Sequence, residues 1–197
     1  MLDRYSLLDM RVEVAFELDE SDVCLEVPWE KAGGTTRYLD LRSDPKAIQE
    51  IEPARRHRPL HNFLATVNSA DSVFSTARCR VWLEPETGET SEFASEIDVF
   101  FALEDLNAER SHYDGLCQRL LELLAHESGQ TVRAELRMRR CRFRATGGSG
   151  YCLALFLRAR GETAGQAEIR WGLGLAHVQQ ALLFVSRTVR QRLARAG

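Results

Sequence analysis

"ARCRVWLEPETGETSEFASEIDVFFAL", Ala77 to Leu103, is the stretch whose reading decides the fold. Ala77, Cys79, Val81 and Leu83 alternate with other residues up to "EPETGETS", and Phe93, Ile97, Val99, Phe101 and Leu103 share one parity after it. A period of two is that of a strand with one face buried, and two such runs around a short turn-rich segment form an antiparallel hairpin. Setting Cys79 opposite Ile97 keeps apolar against apolar. The same register sets Arg78 opposite Asp98 and Arg80 opposite Glu96 on the other face, where opposite charges attract.

Outward from this hairpin the pattern alternates between helices and hairpins. Upstream, Pro59 opens a helix carrying Leu60, Phe63, Leu64 and Val67, and Asp44–Pro45 opens a shorter one. Further upstream, "RVEVAFEL" (Arg11–Leu18) puts Val12, Val14, Phe16 and Leu18 on one face of a strand. "VCLEVPW" and "TTRYLDLR" read as two more strands, with Gly33–Gly34 turning between them and Pro28 favouring a sheet edge. Downstream, Ser111 and Asp114 suggest a capping box for a helix with Tyr113, Leu116, Leu120 and Leu123 on its stripe and Gly129 as its stop.

A second hairpin pairs "ELRMRRCRFRAT" (Glu135–Thr146) with "YCLALFLRAR" (Tyr151–Arg160) through "TGGSG". Val132, Ala134, Leu136 and Met138 share a parity that continues into Arg140, Arg142 and Arg144. A β-bulge at Arg139–Arg140 would return Cys141 and Phe143 to the apolar face and leave the arginines together on the outer one. A three-residue loop, "GGS", sets Phe143 opposite Leu153 and Cys141 opposite Leu155. Thr163 and Gln166 then cap a long helix bearing Trp171, Leu175, Val178, Leu182, Val185 and Val189.

The expected fold is therefore α+β, one domain over residues 1–197. A mainly antiparallel sheet built from hairpins is covered by two long helices, in a ββαββα core with N-terminal strands and short helices. The order helix, hairpin, helix, hairpin, helix is similar to that of the small α+β secretion chaperones and, more loosely, of the tunnelling-fold pterin enzymes. No motif carries either resemblance.

Composition limits the functions. The chain has 197 residues, 44% hydrophobic and 28% charged, with a formal net charge of −3. That balance suits a globular core and lacks the positive field that drives binding to phosphate backbones. The start, "MLDRYSLLDMRVEV", lacks a signal peptide's apolar core, and no apolar run reaches the roughly 20 residues that span a bilayer, so the expectation is a soluble, cytoplasmic protein. Cys24, Cys79, Cys117, Cys141 and Cys152 are odd in number and contain no C-x-x-C pair, which suits buried free thiols better than zinc or disulfides.

The remaining candidates each have a plain structural reading. The arginine strand lacks the exposed aromatics of a nucleic-acid platform, and Glu96, Asp98 and Glu135 can neutralise it. His57 and His61 flank a proline that works against their sharing a helical face, and read as a solvated loop. His112 and His126 lie near the ends of a helix, where His126 can meet the dipole. Glu96 and Asp98 could divide acid and base roles, but the arginines opposite would keep both ionised. "TGGSG" lacks the Lys and Ser/Thr of a P-loop. Gly172 and Gly174 in the last helix imply a close backbone approach or room for a ligand. No catalytic, cofactor-binding or metal-ligating residue stands out.

Leu173, Leu183 and Phe184 lie beside the stripe that seats the last helix and widen its apolar face. The expected function is accordingly a non-catalytic module that binds a protein partner or forms a homodimer through that helix, with neither nucleic acid nor membrane as partner. The alternative is an enzyme or small-molecule binder with a pocket between sheet and helices.

Overall fold

The structure, a computed structural model, describes residues 10–19, 22, 24–27, 38–84, 90–124, 131–144 and 147–196. Pro28, Gly33–Gly34, His126 and Gly129, on which sequence expectations rest, lie outside these residues. The elements are β1 (Met10–Glu17), β2 (Leu25–Val27), a 3-10 turn (Pro45–Glu50), α1 (Glu52–Arg56), α2 (Arg58–Val67), β3 (Phe74–Glu84) and β4 (Ser91–Phe101). They continue with α3 (Asp105–Ala108), α4 (Arg110–Leu124), β5 (Val132–Phe143), β6 (Ser149–Gly161) and α5 (Ala164–Ala196). The fold is α+β around one mixed sheet of six strands.

Strand order is β1-β5-β6-β4-β3, with β2 also on β5. The hairpin strands β3 to β6 pair antiparallel, whereas β1 and β2 join β5 in parallel, so the sheet is mixed rather than built from hairpins throughout. The described part of "TTRYLDLR", Tyr38 to Arg42, is irregular chain and turn instead of a strand. Arg42 fixes it there, donating to the carbonyls of Ser69, Ser72 and Phe74 at 3.0, 3.1 and 3.0 Å.

The β3–β4 register is the expected one: Arg78 faces Asp98, Cys79 faces Ile97 and Arg80 faces Glu96. An irregularity between Thr76 and Arg78 has a local partner, since Asn68 accepts from the Thr76 backbone N–H (3.0 Å) and donates to its hydroxyl (2.8 Å). The β5–β6 register corrects the sequence reading. Met138 faces Leu153 and Cys141 faces Gly150 in an unbroken ladder from Val132 to Arg142, with no bulge. Cys141 and Phe143 therefore stay on the face away from the helices, where they form a second small core with Val27 and Cys152. A bulge would be needed only if the sheet had a single apolar face, and this sheet has apolar groups on both.

The main core lies between the sheet and α2, α4 and α5. Leu60, Phe63, Leu64 and Val67 of α2 are buried, as are Tyr113, Leu116 and Leu120 of α4. Helix α4 begins at Arg110, ahead of the expected cap, and the Ser111 hydroxyl donates to Glu109. In α5, Trp171, Leu175, Val178, Leu182 and Val185 face the sheet, and Trp171 donates to Ser95 Oγ at 2.8 Å. Thr163 Oγ1 accepts from Gln166 N at 3.2 Å, as a capping residue does.

Candidate functional site

Three places gather chemistry-bearing groups. The first is the sheet face turned away from the helices. Side chains along a strand alternate faces, so Glu96 and Asp98 of β4, Arg78 and Arg80 of β3, Arg137 and Arg139 of β5 and Glu17 of β1 all project to one side. Arg139 and Arg78 reach Glu96 Oε1 at 2.8 and 2.9 Å, and Arg80 pairs with Oε2. Arg78 Nε lies 2.8 Å from Asp98 Oδ2, while Arg137 and Arg139 each lie 2.6 Å from a Glu17 oxygen. The Glu96 side chain is only 1% exposed and that of Arg139 10%.

This environment drives the two carboxyls apart. Burial pushes Glu96 upward, but the Arg139 hydrogen bond and the charges of Arg78, Arg80 and Arg139 outweigh it and hold the group below the usual carboxylate range. Burial raises Asp98, Arg78 opposes that only in part, and the Glu96 charge adds to the rise. Such separation is what acid–base pairs need. Here, however, both Glu96 oxygens are held by arginines, and the adjoining depression of about 250 Å³, bordered by Glu92, Arg133, Phe156 and Arg160, touches neither Glu96 nor Asp98. The arrangement is a salt-bridged sheet face.

The arginines of β5 are divided between the faces. Arg137 and Arg139 lie over Phe156, 4.5 and 5.4 Å from its ring centre, and are spent on carboxylates. Arg140 and Arg142 have the opposite parity and are exposed. The expectation of one arginine face is thereby corrected.

The second place surrounds His57. Rather than sitting in a solvated loop, its Nδ1 lies 2.7 Å from Glu168 Oε1, and its ring stands edge-on to Phe93 and Trp171 at 5.2 and 5.9 Å. His61 points elsewhere, 3.4 Å from Gln49 Nε2. His112 Nδ1 lies 3.0 Å from the Leu106 carbonyl. Among the described residues no three His, Cys, Asp or Glu side chains gather as a metal site would require. Among the described residues, too, no helix is long and apolar enough to cross a membrane.

Gly172 and Gly174 have packing roles. A Cβ on Gly172 would lie 2.8 Å from Pro59 Cγ, and one on Gly174 would lie 2.8 Å from Val132 Cγ1, so close approach accounts for both. Gly147 takes φ +71° in the β5–β6 turn, and a Cβ on Gly150 would collide with the Asn107 carbonyl oxygen. Of the cysteines, Cys24 is exposed, against expectation; Cys117, Cys141 and Cys152 are buried. Burial pushes the Cys79 and Cys117 thiols up to about 12, which makes them poor nucleophiles.

The third place is the outward side of α5. Leu173 is 55% exposed and Phe184 45%, and Leu183 is half-buried beside Thr66 and Arg187. Sequence reading missed Ile169, which is 67% exposed and lies one turn before Leu173 on the same line; the four-residue spacing was the available signal. Beside this line an open groove of about 690 Å³ runs between α4 and α5, floored by Leu116, Val185 and Val189 and rimmed by Ser111, Arg119 and Arg192. Arg119 covers the Phe184 ring at 5.2 Å.

No protein-family model, curated protein or solved structure matches the chain. Function therefore rests on geometry alone.

Proposed function

We propose that this chain is a soluble, non-catalytic association module that binds a protein, another copy included, through the outward face of α5. One observation carries the reading: Ile169, Leu173 and Phe184 stand exposed in a line on a helix whose opposite side is already seated on the sheet. Large apolar groups aligned in water mark contact surfaces more often than isolated ones do. The two most polar clusters support the reading indirectly, because their reactive groups are tied up by arginines or hydrogen bonds. Five free cysteines suit a reducing compartment, the cytoplasm. Nucleic acid is no partner on this reading, and tight filter binding that weakens steeply with salt would count against it.

The test is the molar mass of the full chain by light scattering across a dilution series, alone and with Leu173→Glu and Phe184→Glu together. The wild type is expected above 22.4 kDa and the double variant at that mass. A monomeric wild type would favour the second reading, a small apolar ligand in the groove between α4 and α5, for which that groove's apolar floor and polar rim speak.

A further inference from the structure

We infer that the partner of the α5 face is a second copy of the same chain, docked antiparallel across a two-fold axis near Ala176; this rests on the association reading above. The exposed positions of α5 include Gly165, Ile169, Leu173, Ala176, Gln180, Phe184, Arg187 and Gln191, at spacings of four, four, three, four, four, three and four. The set repeats every eleven residues, which keeps a stripe almost straight along a helix, with slight right-handed drift. A straight stripe suits a second straight helix laid along it.

The stripe is its own complement when reversed. About a point next to Ala176, Ile169 meets Phe184 of the other copy, Leu173 meets Gln180, and Ala176 meets itself. The small Ala176 thus falls at the axis, where backbones come closest, and the Ile169–Phe184 pairs form apolar layers on either side of it. Ile169 and Phe184 are 15 residues apart, about 22 Å along the helix, so the two apolar layers bracket the crossing. An isologous contact requires this reciprocity, each residue meeting a partner that meets it in return.

Charge sets the direction. After Glu168 the chain carries no acidic residue, while Arg187, Arg190, Arg192 and Arg195 crowd the last turns of α5. A parallel pair would bring both arginine-rich ends together. The antiparallel pair parts them and sets each near the partner's α5 start, where the exposed Glu162 lies.

Cysteine cross-linking in the full chain tests this, on a Cys24→Ser background that removes the exposed native thiol. Under mild oxidation Ala176→Cys should cross-link to itself. Ile169→Cys and Phe184→Cys should cross-link when mixed, with little self-linking of Ile169→Cys, and the parent should give no cross-link. These positions are exposed, so circular dichroism should show an unchanged fold. A dimer dispersed by the Leu173→Glu, Phe184→Glu pair but self-linking at position 169 would overturn the antiparallel arrangement and leave the association reading standing. A dimer that survives the pair, or a monomer at every dilution, would overturn both the arrangement and self-recognition through α5.

Discussion

On the helix side of the sheet, Val14, Leu136, Leu155, Ile97 and Cys79 form one row across five strands. One residue along each strand, on the opposite side, the neighbouring rows read Glu13, Glu135, Phe156, Glu96, Arg80 and Ala15, Arg137, Ala154, Asp98, Arg78. The backbone is shared, yet the two sides are held by different physics. Apolar contact has no direction and depends on volume, so its members can be exchanged for others of similar size. The charged rows depend on identity, because each buried carboxylate is tolerable only while its arginines remain.

The largest effect that this contrast predicts is at the centre of the charged side. Glu96→Gln should cost about 3–5 kcal/mol by denaturant unfolding, since Arg78, Arg80 and Arg139 lose a common partner and Arg139 stays buried. A cost below about 1 kcal/mol would put this face among ordinary solvated ion pairs and break the contrast. On the apolar side, Leu155→Met preserves volume at a site only 2% exposed and should cost less than about 1.5 kcal/mol. A larger loss would show shape-specific packing there too.

The smallest effect concerns pH. Glu96 has a folded pKa below its unfolded one, so the stability it contributes is complete above the unfolded pKa and is lost as pH falls through the folded value. Asp98 has the opposite shift: its raised folded pKa favours the folded state in acid, and that contribution is lost as pH rises from its unfolded to its folded pKa. In an acid titration Glu96→Gln should therefore flatten the loss of stability, and Asp98→Asn should steepen it. The same slope in both variants would refute the opposed assignment.

How far the sequence was legible follows from which face each segment serves. The β3–β4 register could be read because its apolar and charged parities both select one alignment, Cys79 with Ile97 and Arg80 with Glu96. The same logic failed on β5–β6. Cys141 and Phe143 belong to a second core completed by Val27, which comes from a distant three-residue strand that leaves little periodic signal. The parallel seat of β1 was equally hidden, because alternation in "RVEVAFEL" gives a buried face but not a neighbour or direction. Of the α5 surface, Leu173 and Phe184 were legible as surplus to the seating stripe. The His57–Glu168 contact was not, since it joins residues whose proximity only the packing of α2 against α5 creates.

The parallel union of β1 with β5 also has a consequence in time. Met10 through Glu17 are made well before their hydrogen-bonding partners, Val132 through Arg139, which follow only after β3 and β4. Local hairpins close quickly, whereas pairing across most of a chain must first overcome the entropy of closing a long loop. On the ribosome, β1 therefore waits with an open edge, because its pairing with β5 cannot begin until β5 has been made. The alternating charges Arg11, Glu13 and Glu17 suit that wait, because charged side chains on an open strand discourage pairing with other nascent chains.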